Sequence, residues 1–101
     1  MSKQNCLLGI DLGTTFLKAS VFDRRTGHAI AHDGVRLAVR ELKSGGREQD
    51  VPAIMRALKC MARKLKKANP TAWAQIDGIG VASQGGSSII TSRDGAPRTP
   101  M

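Results

Sequence analysis

The chain has 101 residues, of which 41% are hydrophobic and only 3% aromatic, and a formal net charge of +8. Those numbers fit one small globular domain with a modest aliphatic core, and they exclude a disordered, collagenous or disulfide-stapled chain. The charge excess admits nucleic acid, an acidic membrane surface or a phosphorylated ligand without choosing among them.

Residues 1–5 are polar, and the apolar run after them is too short for a signal peptide or a membrane span. A cytoplasmic protein with no membrane partner is therefore expected. Cys6–Leu12 predicts a first strand that ends in the carboxylate of Asp11. Gly13, Thr14 and Thr15 then predict a tight hairpin, in which a positive φ at Gly13 would let backbone approach a ligand. Phe16–Asp23 predicts a second strand, with Phe16, Lys18, Ser20 and Phe22 on one face and Leu17, Ala19 and Val21 on the other. Arg24, Arg25, Thr26 and Gly27 form the next turn, and residues 28–39 read as a third strand. Three strands joined by tight turns make an antiparallel meander, which argues against a Rossmann unit.

Residues 40–49 are polar and include Ser44, Gly45 and Gly46, the signature of a loop. Asp50 is placed to cap a helix with its carboxylate, and Pro52 fits the first turn. Over residues 51–69, Val51, Ile54, Met55, Leu58, Ala62 and Leu65 recur at helical spacing, and Asn69 with Pro70 ends the run. The opposite face carries Arg56, Lys59, Arg63, Lys64, Lys66 and Lys67, six of the sixteen basic residues. This reads as a solvated helix face. Nucleic acid is disfavoured because no aromatic residues interleave the charges and Trp73 lies beyond the helix. Residues 76–82 are almost continuously apolar and predict a fourth strand buried on both faces. A turn at 83–86, a fifth strand over 87–92 and a turn at 94–97 complete a β-β-β-α-β order. Cys6 and Cys60, in a predicted strand and a predicted helix, read as free, buried or half-buried thiols.

Gly80 to Ser87 nearly spells a P-loop, but Gly86 stands where the phosphate-binding lysine belongs and no helix follows. Gly78-Ile79-Gly80 lacks the third glycine of a dinucleotide fingerprint. His28 and His32 are four residues apart on a predicted strand, about 13 Å, too far to share one ion. Asp11 has two readings, a cap for its own turn or a ligand for a cation bound to phosphate. Gly13, Thr14, Thr15 and Lys18 around it favour Mg-phosphate.

The stretch Gly9-Ile10-Asp11-Leu12-Gly13-Thr14-Thr15 resembles the first phosphate motif of the actin-like ATPase superfamily. With Glu48-Gln49-Asp50, Ile79 to Ser87, and Asp94 to Pro100, the chain is similar to the FGGY carbohydrate kinases, of xylulokinase-like and glycerol-kinase-like layout. The resemblance covers Cys6 to Met101. It implies an α/β, ribonuclease-H-like (actin-like ATPase) domain with an incomplete β-β-β-α-β core, residues 1–101 being part of the N-terminal kinase domain. It implies ATP and Mg²⁺ as cofactors and a sugar or polyol as substrate. Asp11 would hold the metal through water. Gly13, Thr14, Thr15 and Lys18 would meet the nucleotide phosphates, and Gln84, Gly85, Gly86 and Ser87 would lie in the sugar-contacting loop. Family members carry side chains such as Met-His or Arg-Glu where this sequence has Gly85 and Gly86, so the sugar is not named. No catalytic residue is assigned within the chain: the family's Trp-x-Asp-x-Arg segment and its catalytic aspartate fall beyond Met101, as does the C-terminal kinase domain. The expectation is the N-terminal portion of an ATP-dependent carbohydrate kinase, inactive alone. The alternative is a non-catalytic kinase relic whose basic helix face serves as a binding module.

Overall fold

The computed structural model describes residues 5–83 and 91–100. The strand β1 (Cys6–Leu12) pairs antiparallel with β2 (Phe16–Asp23), and β2 pairs antiparallel with β3 (Ala29–Arg36). After two helices, β6 (Ile76–Ser83) returns parallel to β1, giving a sheet in the order β3-β2-β1-β6. The meander follows from its turns. Gly27 adopts a left-handed φ of 76°, and its N–H bonds the Asp23 carbonyl at 2.8 Å. Gly13 behaves otherwise than expected, because it has no positive φ. Glycine is favoured there by proximity: a Cβ would lie 3.1 Å from the Phe16 carbonyl oxygen that accepts the Gly13 N–H, tighter than an ordinary contact.

Strand alternation sorts the faces as anticipated. Leu17, Ala19 and Val21 are buried, with Cys6 and Leu8 beside them on β1. The helix α1 (Val51–Ala68) closes this face with Ile54, Met61 and Leu65, while Ala57 and Leu58 pack against the cluster. Met61 and Leu17 are among the most deeply buried side chains, each worth about 1.5–3 kcal/mol of apolar transfer. The buried stripe thus runs 54, 58, 61, 65. Met55, placed in the stripe by the sequence reading, is 46% exposed. Met61 takes the core position because a 3.6-residue period carries the facing line past Met55.

Several other expectations change. The third strand ends at Arg36, after which the Leu37 N–H turns back to the Thr15 carbonyl at 2.6 Å. The polar stretch 40–49 is a miniature hairpin, β4 (Arg40–Glu41) with β5 (Arg47–Glu48), rather than an unpaired loop. Gly45 at φ 89° turns it, and Arg40–Glu48 and Arg47–Glu41 ion pairs flank it at 2.8 and 3.6 Å. Asp50 occupies the N-cap position without a side-chain cap bond, and its carboxylate lies 3.9 Å from Arg56 instead. Asn69 ends α1 and caps a short helix α2 (Pro70–Ala74) that the sequence reading missed, its side chain accepting the Ala72 N–H at 3.2 Å. Cys60 is exposed rather than buried, on the outer side of α1. His28 precedes β3 rather than lying in it.

The strand β6 is the largest departure. Its continuous apolar run does not signal double burial: Ile79 is 65% and Val81 67% exposed. Both sit level with Leu8 and Ile10 on the helix-side face. But α1 lies against β2 and β3, two and three strands away. The strand expected over 87–92 falls largely outside the described residues; Thr91 bridges Pro97 across the predicted 94–97 turn, where Gly95 has φ 91°. Among the described residues, no helix is long and apolar enough to cross a membrane.

Candidate functional site

The face of the sheet opposite α1 carries the predicted site. Register fixes which side chains share a level across the four strands. One level reads Gly34, Lys18, Asp11 and Ala82 from β3 to β6. Directly opposed residues on one face hold their Cβ atoms about 4.5–5.5 Å apart. Asp11 and Lys18 are therefore cross-strand neighbours, both exposed, and each is flanked on its far side by a residue too small to shadow it. The hairpin Gly13-Thr14-Thr15 joins the two strands just beyond this pair. The structure thus brings together all five residues assigned to metal and nucleotide: Asp11, Gly13, Thr14, Thr15 and Lys18. Gln84, Gly85, Gly86 and Ser87, assigned to substrate, lie outside the described residues.

The next level inward reads His32, Ser20, Gly9 and Gly80, and the one after it sets Phe22 and Leu7 beside Gly78. An open groove of about 500 Å³ runs along this face, with Asp11 and Lys18 at one end and Gly9 and Gly80 in its floor. The glycines have distinct reasons. A Cβ on Gly9 would come within 2.9 Å of the Phe22 ring, and one on Gly78 within 2.9 Å of Leu7. A Cβ on Gly80 would meet nothing within 4 Å, so there a side chain would simply occupy the groove. In the sequence Gly78-Ile79-Gly80 lies in the predicted fourth strand and fails as a dinucleotide fingerprint. Its period of two, matched to the outward positions of β1, is the signal that marks a groove floor.

The hairpin is held from behind. The Gly13 N–H bonds the Phe16 carbonyl at 2.9 Å, the Leu37 N–H bonds the Thr15 carbonyl, and the Gln49 side-chain amide donates to the Thr14 carbonyl at 2.9 Å. Gln49 is 5% exposed, the one buried polar side chain among the described residues. In the sequence Gln49 stands out only as part of the Glu48-Gln49-Asp50 stretch of the family resemblance, which assigns it no role in the site.

No group of three His, Cys, Asp or Glu that could enclose a metal occurs among the described residues. A single exposed carboxylate suits Mg²⁺, which keeps several waters and is held through one or two carboxylates plus substrate phosphates rather than in an all-protein cage. The donor set around Asp11 fits that ion.

The profile of the FGGY family of carbohydrate kinases, N-terminal domain, matches residues 6–100. The probable L-xylulose kinase of Pasteurella multocida is 28% identical over 93 residues, which are 92% of this chain and 19% of that protein. A xyloylose kinase from Brucella ovis superposes with a TM-score of 0.85 at 26% identity, covering 94% of this chain and 20% of that one. Plasmodium falciparum glycerol kinase with ADP superposes at 0.83 with 23% identity, over 99% of this chain and 20% of that one, a likeness of fold. The chain spans about a fifth of the length of these relatives.

Proposed function

The chain belongs to the FGGY family of carbohydrate kinases, and on that premise we propose that it is the N-terminal portion of an ATP-dependent kinase that phosphorylates a sugar or polyol hydroxyl. Its fold is that of the family's N-terminal domains, of the actin-like ATPase type. The observation that supports the reading is the opposition of Asp11 and Lys18 across β1 and β2 with the Gly13-Thr14-Thr15 turn beside them. Phosphoryl transfer needs positioning and charge neutralisation more than covalent help, and this constellation offers both.

In this reading the hairpin's peptide N–H groups and the Thr14 and Thr15 hydroxyls orient the nucleotide phosphates, and Lys18 places a positive charge beside the transferred group. Asp11 would hold Mg²⁺, and the ion, when bound, would supply charge neutralisation to the nucleotide phosphates. Gln84 to Ser87 are assigned to the sugar by their place in the family resemblance alone. Removal of the proton from the acceptor hydroxyl is left to the remainder of the kinase, which also completes the adenosine pocket. The chain by itself holds phosphate and turns nothing over.

A fluorescent ADP analogue reports the binding step. The chain binds it more tightly with Mg²⁺ than without, and Asp11→Asn abolishes the difference while Lys18→Met weakens binding in both conditions. Binding indifferent to Mg²⁺ and to both substitutions would sink the assignment.

A further inference from the structure

The hairpin between β1 and β2 takes its shape from elsewhere in the chain. Its Thr14 carbonyl accepts from Gln49 Nε2 at 2.9 Å and its Thr15 carbonyl accepts from the Leu37 N–H. A trans peptide unit is planar, with its C=O and N–H pointing opposite ways. Holding the Thr14 carbonyl toward Gln49 therefore aims the Thr15 N–H away from Gln49. We propose that Gln49 is a positioning residue for nucleotide phosphate: its side-chain amide sets the rotation of the Thr14–Thr15 peptide and so presents the Thr15 N–H to the ligand. The inference rests on the reading of this hairpin as a phosphate-binding turn.

Three observations converge on Gln49. It is 5% exposed, and a buried amide is costly unless its hydrogen bonds are made. Long-chain amides also lose much side-chain freedom when fixed, so an apolar residue would serve mere packing better. The chain spends local structure on delivering it: position 49 lies between β5 and the first residue of α1, and the Arg40–Glu48 and Arg47–Glu41 pairs brace the small hairpin that leads into it. Finally, its partner is the hairpin backbone 35 residues away in sequence, so it couples the start of α1 to the turn.

The test uses the 101-residue chain labelled with ¹⁵N and titrated with Mg-ATP. In the unmutated protein the Gly13, Thr14 and Thr15 amides shift saturably, and the Gln49 side-chain amide shifts with them at the same midpoint. Gln49→Met keeps the length and loses the donor. It should fold, as judged by the dispersed spectrum of the rest of the sheet, and bind Mg-ATP roughly tenfold more weakly, the scale of one lost hydrogen bond. Ile54→Val, a neighbouring core change without a polar role, lowers the melting temperature and leaves the midpoint alone. If Gln49→Met does not fold, Gln49→Glu is read in the same way, since its carboxylate at neutral pH cannot donate to the Thr14 carbonyl. Equal midpoints for the wild-type chain and the Gln49 variant overturn the positioning role, as does a Gln49 side-chain amide that stays still while Thr15 shifts. No saturable shift at the hairpin of the unmutated chain overturns the phosphate reading beneath it.

Discussion

Leu17 is the residue through which the site and the core are most directly joined. It is 1% exposed and sits between Phe16 and Lys18, opposite Leu12 on β1 and Val35 on β3. Leu17→Ala removes three carbons at about 0.8 kcal/mol each and leaves a cavity that a sheet paired on both sides cannot close. The sum is about 3 kcal/mol, within the range of about 2–5 kcal/mol for buried leucines. That is roughly a 150-fold change in the ratio of folded to unfolded chain. In a domain of this size the melting temperature should fall by about 12–24 °C. Trp73, the only tryptophan, is half-buried against the core, so its fluorescence reports urea unfolding. Val81→Ala is the control. At 67% exposure it should cost under about 1 kcal/mol, although the apolar run of β6 reads like a core strand. A Leu17→Ala loss no larger than that of Val81→Ala would refute the assignment of core and surface made here.

Gly13→Ala should cost stability on the order of 1 kcal/mol and weaken Mg-ATP binding. Its Cβ meets the Phe16 carbonyl, which can give the few tenths of an ångström needed only by lengthening the 2.9 Å bond that closes the hairpin, and we expect this to outweigh the gain of about 0.4–1 kcal/mol from a stiffer unfolded chain; an unchanged urea midpoint counts against it. In a coupled assay with ATP and a panel of sugars and polyols, the chain alone should show no turnover, and robust activity would contradict the division of labour proposed above. Asp94 accepts from the Ser92 hydroxyl and from the Ala96 N–H, which hold its carboxyl below the usual 3.8. Because the folded value is the lower one, the contribution is present above pH 3.8 and is lost as pH falls through the folded pKa. A ¹³C titration of Asp94 should give a midpoint below 3.8, moving upward in Ser92→Ala; a wild-type midpoint at or above 3.8 removes the hydrogen-bonded turn.

What the sequence made legible was local. Alternation on β2 placed Leu17, Ala19 and Val21 inside, and Asp11, Gly13, Thr14, Thr15 and Lys18 were found together because they are contiguous across one turn. What it hid depended on partners distant in sequence. The exposure of Ile79 and Val81 follows from where α1 lies on the sheet, which no apolar run encodes. Met61 displaced Met55 because the facing line of α1 is set by β2 and β3. Gln49 was visible in the sequence as part of a family stretch, but its contact with the hairpin shows only in the bond from its amide to the Thr14 carbonyl. Gly80 became informative once register set it beside Gly9.

The central claim is that Asp11, the Gly13-Thr14-Thr15 turn and Lys18 act together on Mg-phosphate. A backbone amide map of the unmutated chain with Mg-ATP and with ATP plus chelator tests it most directly. Mg-dependent, saturable shifts confined to residues around Asp11, the hairpin and Lys18 are expected. Shifts spread along Arg56, Lys59, Arg63, Lys64, Lys66 and Lys67 instead, independent of Mg²⁺ and erased by salt, would show that the positive charge of α1 merely attracts anions, and would contradict it.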